Sequence, residues 1–273
     1  MKTILLAFIL FFGNLIYAQT FEFNYTYTFK KDSVSKRNFT EIMTVFSNEN
    51  SRFYRSQSKI LSDSVGYTKN KIFTDANTLI TTTESYISSV DNTTIEIDLN
   101  SKIQQNWIFT YDRAVVSSEE LNLPIWNLSD ERVMYNNLKL KKATTYFLGR
   151  NWTAYYTEEI PVQIAPYNFY GLPGTIVKLE DSNSLFKFEL LNYKPKVHLD
   201  NFYSTSINFR RKKDFEKITS KEMYEYGKFL IQNSAQNLIN SGVQLSEEQV
   251  KKIENNIKNR KYIFLDPTIP FVI

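Results

Sequence analysis

The chain has 273 residues, of which 42% are hydrophobic and 23% are charged, which is typical of a globular protein rather than a disordered one. Its 33 basic and 29 acidic residues give a net charge of +4, which is too balanced to indicate a nucleic-acid partner. Because there is no cysteine and only one histidine, thiol catalysis, cysteine metal sites and multi-histidine zinc sites are excluded, and the sequence indicates no cofactor and no metal.

The first eighteen residues differ in composition from the rest of the chain. Lys2 precedes an almost wholly apolar stretch from Ile4 to Ile16, and Ala18 offers a small residue for cleavage. This stretch is shorter than the ~20 residues of a membrane-spanning helix, so we predict a signal peptide over residues 1–18, with an uncleaved anchor as the alternative. No later stretch is long and apolar enough to predict a transmembrane segment in the exported chain.

Short alternating segments, joined by polar turns, follow the predicted signal peptide. From Phe21 to Phe29 every second residue is aromatic and the residues between are polar, which predicts a strand with one aromatic and one polar face. Similar patterns predict strands over 39–47, 52–58, 71–74, 79–83, 86–90, 94–99, 106–110, 140–149, 151–157, 175–180 and 185–193. Residues 132–138 fit either a weak strand or a connector. An antiparallel meander is the simplest topology for this spacing.

A turn sequence, Tyr-Gly-Leu-Pro-Gly-Thr at residues 170–175, lies between two of the predicted strands. Pro173 sets φ to about −65° and Gly174 can adopt a positive φ, and this pair predicts a type II turn. We expect the turn to fix a bend in the sheet.

Two segments in the last quarter of the chain begin with the spacing of a helix capping box. The two boxes are Thr219 with Glu222, and Ser246 with Gln249. Apolar residues recur at helical spacing after each box, and Gly242 marks a stop between them. The sequence therefore predicts two C-terminal helices within about 219–260.

Together these elements predict a mainly β (α+β) fold: a large curved antiparallel sheet or half-barrel with two C-terminal helices packed on it. Residues 19–273 show no internal repeat and no linker rich in glycine, serine or proline, which favours a single domain.

The region around the turn resembles a known protein family. The resembling segments are Leu123–Trp126, Lys142–Thr145, Gly149–Pro161 and Ala165–Val177. In these segments the chain resembles the GLPGLI family of exported bacterial envelope proteins of unknown function, which is named for the turn. The resemblance covers roughly Trp107 to Pro195, and it implies a periplasmic or outer-membrane-associated protein.

Four positions depart from the family pattern. Thr175 stands where the family often has Leu, Tyr155 and Tyr167 stand where it often has Trp, and Leu140 stands where it often has Cys. These replacements keep size or apolar character, so they are consistent with a repacked core. The resemblance implies no catalytic residue, because none is established for the family.

Two main functional hypotheses follow. A curled sheet with an aromatic face and helices over its mouth can enclose an apolar cavity, although a fully packed core is the alternative. The first hypothesis is therefore a non-enzymatic exported protein that binds an apolar ligand or a membrane-protein partner, such as an outer-membrane protein. The residues predicted to form its turn and binding edge are Trp152, Tyr156, Phe169, Gly171, Leu172, Pro173 and Gly174.

The second hypothesis is a periplasmic hydrolase of envelope polysaccharide or peptide. It requires two carboxylates to converge among Glu158, Glu159, Glu180 and Asp181, or His198 to meet a hydroxyl group. A purely structural envelope component is a third possibility.

Overall fold

A computed structural model of the chain describes residues 20–30, 32, 37–61, 93–109, 114–196, 215–240, 242–259 and 265. The predicted signal peptide, the predicted strands at 71–74, 79–83 and 86–90, and His198 lie outside the described residues.

Twelve strands form one open sheet in the described part of the chain. They are β1 (Thr20–Phe29), β2 (Phe39–Ser47), β3 (Ser51–Ser56), β4 (Thr94–Asp98), β5 (Ile103–Phe109), β6 (Ala114–Glu120), β7 (Asn127–Tyr135), β8 (Leu138–Phe147), β9 (Arg150–Thr157), β10 (Thr175–Asp181), β11 (Phe186–Lys196) and β12 (Phe215–Ile218). Their order across the sheet is β12-β6-β5-β4-β3-β2-β1-β11-β10-β9-β8-β7. β12 pairs with β6 in parallel, whereas the other described pairs are antiparallel. The mainly β fold class is confirmed.

Strand β1 carries the centre of the core. Its predicted aromatic face is confirmed, since Phe23, Tyr25 and Tyr27 are all fully buried. The ring of Tyr27 stacks on that of Phe188 with centroids 4.3 Å apart, and Phe188 is its partner residue on β11. Because each such side chain contributes about 1.5–3 kcal/mol on burial, this aromatic row is a main source of stability.

The first half of the polar face of β1 is also buried. Glu22 and Asn24 are each only 4% exposed. Asn24 Nδ2 donates to Asn192 Oδ1 at 2.9 Å, and Thr44 Oγ1 donates to Asn24 Oδ1 at 2.7 Å. Lys194 Nζ lies 3.0 Å from Glu22 Oε1. Partners on the neighbouring strands β2 and β11 thus offset the cost of burying these polar groups.

Two strands were not predicted from the sequence. β6 ends in the polar stretch Ser117-Ser118-Glu119-Glu120, which has no clear strand pattern, yet Ser117 is fully buried and pairs with Asn106 of β5. β12 has only four residues and depends on pairing with β6, far away in sequence. Both segments become strands because they pair with strands elsewhere in the fold, and strand preference depends strongly on such neighbours.

Residues 158–174, the cover segment, form the second layer over the inner face of the sheet. The rings of Tyr167 and Tyr54 meet edge to face at 5.7 Å, and those of Phe169 and Trp152 at 4.6 Å. Tyr25 Oη donates to the carbonyl of Ile176 just after the segment, at 2.9 Å. The main core is therefore covered by an irregular segment, where the sequence had predicted helices.

The C-terminal helices lie near one end of the sheet. They are α1 (Ser220–Gln232), α2 (Ser234–Asn240) and α3 (Glu247–Asn259), and residues 57–61 are also helical. Met223 and Leu230 of α1 pack on Ile108 and Val115, in a cluster separate from the main core. Among the described residues, no helix is long and apolar enough to cross a membrane.

Both predicted capping boxes are confirmed. Thr219 and Glu222 exchange hydrogen bonds at the start of α1, and Ser246 and Gln249 do so at the start of α3. The first predicted helix is interrupted at Asn233, which separates α1 from α2. Ser234 Oγ donates to the carbonyl of Ile231 at 2.6 Å, a local bond that competes with regular helix pairing.

Candidate functional site

The seven predicted turn and binding residues form one continuous region but differ in exposure. Trp152 and Tyr156 lie on the same face of β9 and are buried in the main core. Phe169, Leu172 and Gly174 are buried within or at the end of the cover segment. The remaining two, Gly171 and Pro173, are exposed.

The start of the turn is anchored by Trp126. The Nε1 atom of Trp126 donates to the carbonyl of Tyr170 at 3.0 Å. Trp126 is itself held in place by its neighbour Ile125, whose carbonyl accepts from Thr145 Oγ1 at 2.7 Å. Gly171 follows with φ +108°, a backbone conformation that a residue with a Cβ rarely adopts. The positive φ of the turn thus belongs to Gly171.

The predicted type II turn centred on Pro173 and Gly174 is wrong, because Gly174 does not have a positive φ. Glycine is needed there for another reason. A Cβ on Gly174 would lie 2.2 Å from the carbonyl oxygen of Thr157, the last residue of β9. Two backbones meet at this point, and Ile176 N donates to the carbonyl of Ile164 at 2.8 Å beside it. Gly174 therefore lets the cover segment lie against β9.

A pocket of about 170 Å³ lies where the ends of strands β3, β4 and β6 meet the cover segment. Its apolar lining consists of Leu99, Leu121, Leu123, Ile164, Ala165, Phe169, Leu172 and Ile176, and the rest is Arg52, Gln163, Tyr170, Gly171 and Gly174. None of these residues belongs to the helices. The sequence predicted an apolar cavity between the sheet and the helices, and this pocket lies elsewhere.

Arg52 supplies the positive charge of the pocket. It lies on the inner face of β3, where its partners are Ser47 and Ile97 of the adjacent strands. Its Nη1 donates to the carbonyl of Asn48 and, at 3.0 Å, to that of Ser51. Burial lowers the pKa of the guanidinium, which nonetheless stays charged at neutral pH.

Tyr170 lies beside this charge. The guanidinium carbon of Arg52 is 6.0 Å from the centre of the Tyr170 ring. The Tyr170 hydroxyl is buried, and burial raises the pKa of this phenol well above its ordinary value. The hydroxyl is therefore protonated under all ordinary conditions and can act as a hydrogen-bond donor.

Sequence reasoning identified part of this pocket. Phe169, Gly171, Leu172 and Gly174 line it, whereas the other three predicted residues are outside its lining. The sequence did not identify Arg52 as a pocket residue. The alternation in β3 places Arg52 on the same face as Tyr54, which is buried, so the sequence could have indicated that both side chains share a face. Only the pairing of strands across the sheet shows that this face is the inner one.

The four carboxylates of the hydrolase hypothesis do not converge. Thr157 pairs with Thr175 and Trp152 pairs with Asp181, so Glu158 and Glu159 follow one end of the β9–β10 pair while Glu180 and Asp181 lie at the other. Six residues of strand separate the ends by about 20 Å, far more than the about 5–9.5 Å between paired carboxylates in glycoside hydrolysis.

Two of these carboxylates have clear structural contacts. Glu158 forms an ion pair with Lys141 at 2.8 Å. Asp181 is buried and accepts from the backbone N–H groups of Leu185 and Phe186, both at 2.7 Å, at the β10–β11 turn. Within the described ranges, no group of three or more His, Asp or Glu side chains could hold a metal ion.

Comparisons with known proteins inform the fold. A scan against protein-family models finds no match, and a search of curated proteins finds none either. Among solved structures, the chain is similar to PNGF-II in a C2 crystal form, with a TM-score of 0.50 and 17% identity over 74% of this chain and 31% of that chain. The P21 form gives a TM-score of 0.50 and 16% identity over 74% of this chain and 32% of that chain. The chain thus spans about a third of the PNGF-II chain, and at this identity the likeness shows the fold alone.

Proposed function

We propose that the chain is an exported, non-enzymatic envelope protein of the GLPGLI type that binds a small apolar ligand in the pocket beneath the cover segment. The observation that carries this proposal is the pocket itself, in which eight apolar residues lie next to the Gly171–Gly174 turn. Largely apolar clefts with a few polar groups are the usual form of small-molecule sites.

The size of the pocket limits its ligand. Its volume of about 170 Å³ is close to that of a cavity of about 150 Å³ that is known to bind benzene in another protein. The pocket therefore fits one aromatic ring or a short branched alkyl group, and a whole lipid chain is too large for it. A polypeptide partner could use the same pocket only by inserting a single apolar side chain.

The position of the pocket also supports binding. The turn beside it contains the residues that carry the resemblance to the family, and Trp126 and Gly174 hold that turn against β9 and the preceding loop. Export is supported by the composition of residues 1–18. We place the protein in the periplasm or at the outer membrane.

Toluene provides the direct test. Six leucine and isoleucine residues line the pocket and can be followed by methyl NMR, namely Leu99, Leu121, Leu123, Ile164, Leu172 and Ile176. We expect toluene to shift these methyl signals in a saturable way and to leave those of the core residue Ile95 unchanged. Absence of saturable shifts, or shifts spread over the whole core, would overturn the proposal.

A pocket-filling variant is the matched control. Leu123 is 40% exposed at the pocket, so Leu123→Trp can occupy space there with little cost to folding. Leu128→Trp makes the same change on β7, outside the pocket lining. We expect only the Leu123 variant to weaken toluene binding.

Native mass spectrometry of protein from its own host then distinguishes a bound small molecule from a polypeptide.

A further inference from the structure

Arg52 has no acidic partner among the residues that the structure describes. Its guanidinium gives two hydrogen bonds to backbone carbonyl groups, both from Nη1. The Nε atom is buried without an acceptor among the described residues. A charge held in a mostly apolar wall, with no counter-ion among the described residues, is costly, so an anion that reaches it would be favoured.

A second donor lies next to Arg52. The Tyr170 hydroxyl is also buried without a partner among the described residues, and both side chains line the pocket. Buried donors normally find acceptors, so two unsatisfied donors lining one pocket indicate a missing acceptor. A ligand with an acceptor group at one end and an apolar group at the other would satisfy both.

We infer that the ligand is a small monocarboxylic acid whose apolar group fills the pocket and whose carboxylate binds Arg52 and Tyr170. This inference rests on the proposed function. A carboxylate is planar and matches the edge of a guanidinium, where it accepts two parallel hydrogen bonds. One negative charge matches the single arginine, whereas a phosphate would bring close to two charges and three acceptor oxygens.

Benzoate and benzamide are matched probes for this inference. They share one ring and nearly one shape, but at neutral pH only benzoate carries a charge. We expect benzoate to bind at least about tenfold more tightly than benzamide, because hydrogen bonds to charged groups are the stronger kind. Titration calorimetry measures both affinities, and toluene is run in parallel.

Two variants locate the charge that matters. Arg52→Gln should abolish the preference for benzoate over benzamide. Arg132→Gln removes an exposed arginine on β7 and should leave the preference intact. Should Arg52→Gln fail to fold, the Nε–H signal of Arg52 in the unaltered protein gives the answer, since it should move on addition of benzoate and not of benzamide.

The outcomes separate the two proposals. Equal affinity for benzoate and benzamide, or binding of toluene alone, would overturn the carboxylate inference and leave the apolar pocket standing. A preference for benzoate that survives Arg52→Gln would also overturn it. Failure of all three probes to bind would overturn both proposals.

Discussion

The central strand β1 and the edge strand β7 are of similar length but have opposite surroundings. β1 pairs on both sides, its aromatic face is packed in the core, and Glu22 and Asn24 on its other face are buried in a polar network. Among the described strands β7 pairs with β8 alone, and all but one of its residues are exposed. The sheet therefore extends well past the core that stabilises it.

The β7 edge has features that hinder pairing with another chain. Its register against β8 shifts between Leu128 and Arg132, and an irregular edge is a poor template for a further strand. Glu131 forms an ion pair with Lys142 of β8 at 2.7 Å. The difference teaches that strand pairing and a few side-chain contacts hold β7, whereas packing between layers holds β1.

The largest expected effect follows from this difference. Phe23→Ala, at a fully buried position of β1, should lower the free energy of unfolding by about 3–5 kcal/mol. Met134→Ala, at a position of β7 that is 63% exposed, should change it by less than about 0.5 kcal/mol. Urea denaturation measures both values, and similar losses would show that the edge carries core-like packing.

Two glycine substitutions, one on each side of β9 in the sequence, compare a packed position with an open one. Gly174→Ala should cost about 3 kcal/mol, the upper end of the range for overpacking, because the new Cβ would meet the backbone of Thr157. Gly149→Ala, in the β8–β9 turn, should cost about 1 kcal/mol, since no atom lies within 4 Å and the φ of +73° is the only source of strain.

Thermal or urea unfolding of the two variants provides the measurement. Gly174→Ala should also weaken toluene binding, because the cover segment must move away from β9. Equal losses of unfolding free energy in the two variants would contradict the close approach of the backbones at Gly174 and Thr157.

Features that depend on near neighbours could be predicted from the sequence. The aromatic alternation of β1 and both capping boxes are of this kind, since their residues lie within ten positions of one another. The fold class followed from the repetition of such alternating segments.

Features that depend on distant contacts could not. The role of Gly174 arises from a residue seventeen positions earlier, Thr157, and a Pro-Gly pair is compatible with a turn of another type. Arg52 acquires its role from strands β4 and β6 and from the cover segment, which meet it only in the folded sheet. The alternation of residues predicted which face of β1 is the aromatic one, but it did not predict that residues 158–174 cover that face.

The smallest expected effect concerns the edge opposite β7, where β12 leads into α1. Hydrogen bonds from the backbone and hydroxyl of Thr219 lower the pKa of Glu222 from its ordinary 4.5. The ionised carboxylate therefore stabilises the start of α1 above the unfolded-state pKa, and this contribution is lost as the pH falls through the lower folded-state pKa.

In α3 the same box uses Gln249, which has no carboxyl proton to gain. Titration from about pH 6 to about pH 3 should therefore shift the backbone amide signal of Glu222 and raise its hydrogen exchange relative to that of Gln249. Parallel changes at the two caps would show that acid acts on the helices as a whole, and the local assignment to Glu222 would then be wrong.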